Sequence, residues 1–139
     1  MKTIRLFITL LAITVISACN AQNGSKKEVV SSNSGNIEAY YFHFTSRCVT
    51  CKAVESEAKK NIETLYPEQV KSGKITFQSL NLDESSSKEI AEKLGVSGQT
   101  LLIVKGDQKF NITNEGFMNA RKNPEKFKEI IKEKVDKLM

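Results

Sequence analysis

The sequence predicts an α/β domain, a mixed four-stranded central sheet flanked by helices in the element order β-α-β-α-β-β-α. Three observations predict it. Runs rich in β-branched and aromatic residues alternate with runs carrying an apolar stripe at helical spacing. The first three elements form a strand-helix-strand unit, which implies a parallel pair joined by a right-handed crossover. The turn "KGDQ" closes the last two extended runs into a hairpin and so adds an antiparallel strand.

The elements follow in order. "IEAYYFHF" (Ile37 to Phe44) has little polarity, as suits a strand buried on both faces. From Cys48 to about Tyr66, the residues Cys51, Val54, Ala58, Ile62 and Leu65 fall three or four apart and define one helical stripe. Pro67 stops that helix. "KITFQSLNL" (Lys74 to Leu82) alternates and forms a second strand. In "SSSKEIAEKLG" the serines cap a helix carrying Ile90, Ala91 and Leu94, and Gly95 ends it. "TLLIV" (Thr100 to Val104) is the third strand and "KFNIT" the fourth. In "NPEKFKEIIKEKVDKLM", Asn123 caps a last helix with Pro124 at its first position. Phe127, Ile130, Ile131, Val135 and Leu138 form its apolar stripe.

Residues 1–18 read as a signal peptide. Lys2 and Arg5 precede the apolar run "LFITLLAITVI", which is too short for a bilayer span of about 20 residues. "ISAC" then resembles the lipobox read by lipoprotein signal peptidase, and that resemblance makes Cys19 the acylated first residue of the mature chain. Residues 19–36, rich in Ser, Asn and Gly, are expected to be a flexible tether to the lipid. Residues 37–139 remain as one small domain, expected to be monomeric. The predicted location is the bacterial cell envelope, with the domain in the periplasm.

The chain carries a formal net charge of +5. Losing Lys2 and Arg5 leaves 19 of the 21 basic residues against 16 acidic ones, a net +3. These charges are interleaved, as in "KFKEIIKEKVDK", which describes solvated helix faces and argues against nucleic-acid binding.

With Cys19 assigned to lipid, Cys48 and Cys51 in "HFTSRCVTCK" are the thiols left in the domain. They are too close in sequence to act as an effective staple. A structural zinc site needs four ligands, and the single histidine, His43, lies within the aromatic strand and reads as a strand residue. Two thiols still suffice for a soft ion such as Cu(I) or arsenic(III). Their position at the junction of a strand and a helix favours redox chemistry. Cys48 faces the unpaired N–H groups and positive dipole end of the helix, which stabilise a thiolate over the free thiol of pKa about 8.5. Arg47 adds a positive charge beside it. Cys51, one turn later on the inward stripe, is expected to be less exposed. Val49 offers only bulk between them, whereas the Thr50 hydroxyl is a possible donor to sulfur.

"CVTCK" at a strand–helix junction, "ITFQSLNLDE" and "AEKLGVSGQTLLIVKGDQK" together resemble the thioredoxin-like fold family over nearly all of the mature domain. The lipoprotein form also resembles a family of small envelope subunits associated with nitroreduction of aromatic arsenicals. The thioredoxin resemblance implies a thiol–disulfide oxidoreductase with Cys48 as nucleophile and Cys51 as resolving residue. It implies no cofactor beyond the redox-active Cys48–Cys51 disulfide. Three departures stand out: Arg47 replaces the tryptophan before the first cysteine, Phe42 aligns with the acidic residue below the second, and Thr100 takes the place of the cis-proline, from which its hydroxyl can reach toward Cys48. The proton acceptor for Cys51 is then missing, with Glu55 or Glu57 as substitutes, and the changes point to a dedicated protein substrate. No flavin or nucleotide motif is visible, so a membrane thiol/disulfide carrier is the expected electron source. The remaining alternative is a non-catalytic adaptor that docks a partner through Phe117 and Met118 in "NEGFMNA", near the end of the sheet, where these residues otherwise simply cover the core.

Overall fold

The computed structural model describes residues 35–139. The predicted signal peptide, Cys19 and nearly all of the tether lie outside the described residues.

The elements are β1 (Ile37–His43), α1 (Val49–Leu65), α2 (Pro67–Lys71), β2 (Ile75–Asn81), α3 (Ser85–Leu94), β3 (Thr100–Lys105), β4 (Gln108–Asn111), α4 (Thr113–Asn119) and α5 (Pro124–Asp136). The expected order is present, with two short helices added. Pro67 does end α1, with Tyr66 as its C-cap, but it also opens α2 as a first-position proline whose missing N–H costs nothing there. The segment holding Phe117 and Met118, expected at the end of the sheet, is helical as α4.

The sheet runs β2-β1-β3-β4. β1 pairs with β2 in parallel, Ile37 opposite Ile75 and His43 opposite Asn81, as the strand-helix-strand reading requires. β3 lies antiparallel to β1, with Thr100 opposite Phe42, and β4 closes the hairpin antiparallel to β3. Successive side chains point to opposite faces of a strand, so β1 divides the core in two. Ile37, Ala39 and Tyr41 join Val54, Ala58 and Ile62 of α1 with Phe127, Ile131 and Val135 of α5. Tyr40 and Phe42 join Leu102, Val104 and Ala91, with Ile90 and Leu94 of α3 packed against them. A strand buried on both faces is what its nearly unbroken apolar sequence called for.

The helix ends follow local chemistry, with one correction. The Asn123 side chain accepts the Lys126 N–H at 3.2 Å, capping α5. Gly95 ends α3 at φ 72°, the left-handed geometry that glycine adopts without strain. The serines do not cap α3, however. Its N-cap is Glu84, which makes no side-chain capping bond, and Ser85 to Ser87 lie in the first turn. Gly116 of α4 is needed for another reason: a Cβ there would lie 3.0 Å from Val54 Cγ1 and 3.3 Å from Phe127 Cζ, where α4 meets α1 and α5.

Candidate functional site

Shortly after β1, Cys48 forms the N-cap of α1 in an extended conformation, and a disulfide joins it to Cys51, with Cα atoms 5.0 Å apart. Each sulfur meets a backbone N–H of the turn. Cys51 N–H donates to Cys48 Sγ at 3.0 Å, and Cys48 N–H donates to Cys51 Sγ at 3.2 Å. Helix starts leave such N–H groups without intrahelical partners, so the sulfurs replace the oxygens of an ordinary cap. The expected asymmetry is present: Cys48 is exposed, whereas Cys51 is 6% exposed at the head of the buried stripe. Val49, between them, is 71% exposed, and Thr50 is half-buried at the second helical position.

The surrounding residues make contacts that the sequence reading did not include. Arg47 directly precedes Cys48. Its guanidinium pairs with Glu55 on the second turn of α1 and lies over the Tyr41 ring, 5.9 Å from the centroid. Glu55 is therefore occupied by Arg47, and Glu57 lies 4.0 Å from Lys60. The Thr100 hydroxyl donates to the Gly98 carbonyl at 2.9 Å, not to sulfur. Among the described residues no peptide bond is cis. Phe42 is on the opposite face of the sheet, packed with Tyr40 and Leu102.

Tyr41 takes the place beneath the motif. The ring is fully buried, and its hydroxyl donates to the Cys51 carbonyl at 2.9 Å while accepting from Gln99 Nε2 at 2.5 Å. Burial pushes its pKa up, against the opposing pull of Gln99 and Arg47, so it remains a neutral phenol. Tyr41 was not singled out from the sequence, because the thioredoxin resemblance aligns Phe42 with the buried acidic position. The parity of β1 contained the signal: odd-numbered residues face α1, and a buried phenol requires a partner.

The loop carrying the motif is fastened to the end of β2. Thr45 N–H donates to Asp83 Oδ2 at 2.7 Å, and Asn81 Nδ2 donates to the Thr45 hydroxyl at 3.0 Å. The Thr45 backbone donor holds the Asp83 carboxyl below its usual range. His43 is a buried residue at the end of β1, as the strand reading expected, and its Nδ1 lies 2.9 Å from the Phe44 carbonyl. Among the described residues no group of three or more His, Cys, Asp or Glu is placed to hold a metal. Phe117 is half-buried against the core and Met118 is 69% exposed on α4.

No protein-family profile matches the chain, and no curated protein matches it. Among solved structures it is similar to oxidised thioredoxin O2 from Arabidopsis thaliana, at 25% identity and a TM-score of 0.41, covering 55% of this chain and 60% of that one. It is similar to mitochondrial thioredoxin 3 from Saccharomyces cerevisiae at 24% identity and a TM-score of 0.46, covering 71% and 79% of the two chains. Thioredoxin from Trypanosoma brucei brucei aligns at 21% identity and a TM-score of 0.41, over 70% and 77%. The fold is thioredoxin-like by its own topology: a β2-β1-β3-β4 sheet with helices on both faces and a CxxC disulfide where β1 passes into α1.

Proposed function

We propose that this chain is a thiol–disulfide oxidoreductase of the bacterial cell envelope, anchored by lipid on Cys19 with its domain in the periplasm. It passes two electrons between a membrane thiol carrier and a dedicated protein partner. The observation that carries the reading is the pair itself: an exposed Cys48 at a helix N-cap, disulfide-bonded to a buried Cys51 one turn on. In the reduced protein the Cys48 thiolate attacks a partner disulfide, forming a mixed disulfide and releasing one partner sulfur as thiolate. The Cys51 thiolate then attacks Cys48 Sγ, re-forming the internal disulfide and releasing the second partner thiol. A reductant of the same dithiol class returns two electrons and two protons. The lipobox-like "ISAC" and the polar run after it support placing this domain within reach of a membrane carrier. The absence of the usual Trp-Cys pair and of a proline at Thr100 supports a dedicated partner over a general substrate range.

Cys51→Ser in the full-length chain tests this directly. It is expected to accumulate a Cys48-linked mixed disulfide with the partner, identifiable by mass spectrometry after non-reducing capture. Cys48→Ser is expected to abolish exchange with insulin and with glutathione disulfide. A wild type inert in both exchanges, with no adduct on Cys51→Ser, would refute the reading.

A further inference from the structure

We propose that Tyr41 is a positioning residue for the resolving cysteine, its hydroxyl fixing where Cys51 stands relative to Cys48. The proposal rests on the redox reading above. Tyr41 touches both ends of the motif. Its hydroxyl reaches Cys51 at the inner end, and its ring face carries the guanidinium of Arg47, the residue before Cys48.

The hydrogen-bond directions follow from the groups. A carbonyl can only accept, so the single phenolic proton goes to the Cys51 oxygen at 2.9 Å. The hydroxyl oxygen is then free to accept from Gln99 Nε2 at 2.5 Å. A helical carbonyl has a second lone pair beyond its ladder bond, and Tyr41 uses it to tie the first turn of α1 to β1. Gln99 directly precedes β3, so the contact links three elements through one oxygen. An unpaired hydroxyl at a fully buried site would be costly, and both hydrogen-bonding capacities of this one are filled.

The step served is resolution. The Cys51 thiolate attacks Cys48 Sγ in the mixed disulfide with RS; the Cys51 Sγ–Cys48 Sγ bond forms and the S–S bond between Cys48 and the sulfur carrying R breaks. RS⁻ leaves with the electron pair and takes a proton from water, replacing the one Cys51 gave up. Tyr41 stays protonated throughout, because burial raises its pKa. It therefore acts by placement, not as a base.

Tyr41→Phe removes only the hydroxyl. With glutathione disulfide as probe, the full-length variant is expected to form the Cys48–glutathione adduct within about two-fold of the wild-type rate. Its resolution is expected to be about five- to ten-fold slower, the kinetic equivalent of one neutral hydrogen bond. The pH profile of resolution is expected to be unchanged. Gln99→Met is expected to slow resolution in the wild-type background and to add nothing to Tyr41→Phe, because it acts through the same oxygen.

Resolution at the wild-type rate, equal slowing of both steps, or a shifted pH profile in Tyr41→Phe would overturn the proposal. Should that variant not fold, an unaltered resolution rate in folded Gln99→Met would do the same. A wild type inert toward glutathione disulfide overturns the redox reading and this proposal with it. An active wild type with an indifferent Tyr41→Phe overturns this proposal alone.

Discussion

Reduction of the disulfide should leave the domain folded, and the expected cost can be worked from the chain. Cys48 and Cys51 are three positions apart, so the bridge closes a loop of only four residues. The chain-entropy relation assigns so short a loop about 2 kcal/mol at 25 °C, at the bottom of the 2–5 kcal/mol lost with structural disulfides of small secreted domains. The reduced state recovers part of this. An ionised Cys48 sulfur accepting the Cys51 N–H gains a charge-assisted hydrogen bond of about 1.5–3 kcal/mol. Oxidised and reduced forms should then differ by no more than about 2 kcal/mol, or roughly 1 M in urea midpoint for a slope near 2 kcal/mol/M. The same difference links the potentials of the folded and unfolded pairs, which should lie within about 45 mV of each other, since 30 mV corresponds to about 1.4 kcal/mol. Urea unfolding followed by far-UV circular dichroism, with and without excess reductant, measures it. A chain that unfolds on reduction, or loses more than about 4 kcal/mol, would make the bridge a staple and refute the argument.

Three further outcomes are expected. In the reduced protein Cys48 should be alkylated before Cys51 at neutral pH, by exposure and by its place at the helix start; mass mapping after a short iodoacetamide pulse would show the reverse order if this is wrong. All three tyrosines, Tyr40, Tyr41 and Tyr66, have pKa values raised above 10.0, chiefly by burial. Their contribution is complete below pH 10 and falls as pH rises above it, because the unfolded chain ionises first. Tyrosinate absorbance should therefore appear together with unfolding, and a gradual rise in a folded protein would contradict the burial. Gly116→Ala should destabilise by about 1 kcal/mol, because overpacking against Val54 and Phe127 (about 1–3 kcal/mol) outweighs the helix propensity gained (about 1 kcal/mol). A raised urea midpoint would show that the neighbours yield.

What the sequence revealed, and what it hid, divides by the range of the interaction. The strands and long helices repeat their pattern over many residues, so Cys51, Val54, Ala58 and Ile62 mark one face of α1 by their spacing alone. Likewise Asn123 and Pro124 are local signals, and both act as read. The helix α2 was hidden because a proline read as a stop is equally a start. α4 was hidden because "TNEGFMN" contains a glycine and shows no apolar stripe over its seven residues. Within the site, the sulfurs and their asymmetry were legible from the strand–helix junction. The pairing of Arg47 with Glu55 was not, because the chain reverses from loop to helix between them. Tyr41 and Gln99 lie 58 positions apart, and only the antiparallel register of β1 with β3 brings them together.

β1 has hydrogen-bonded neighbours along both edges and side chains packed above and below it. Its amides can therefore meet solvent only when the whole domain opens, and their exchange should report the global free energy. A short loop farther on, a sulfur stands at the surface. The sulfur that meets solvent is thus only a short loop away from a strand enclosed on every side.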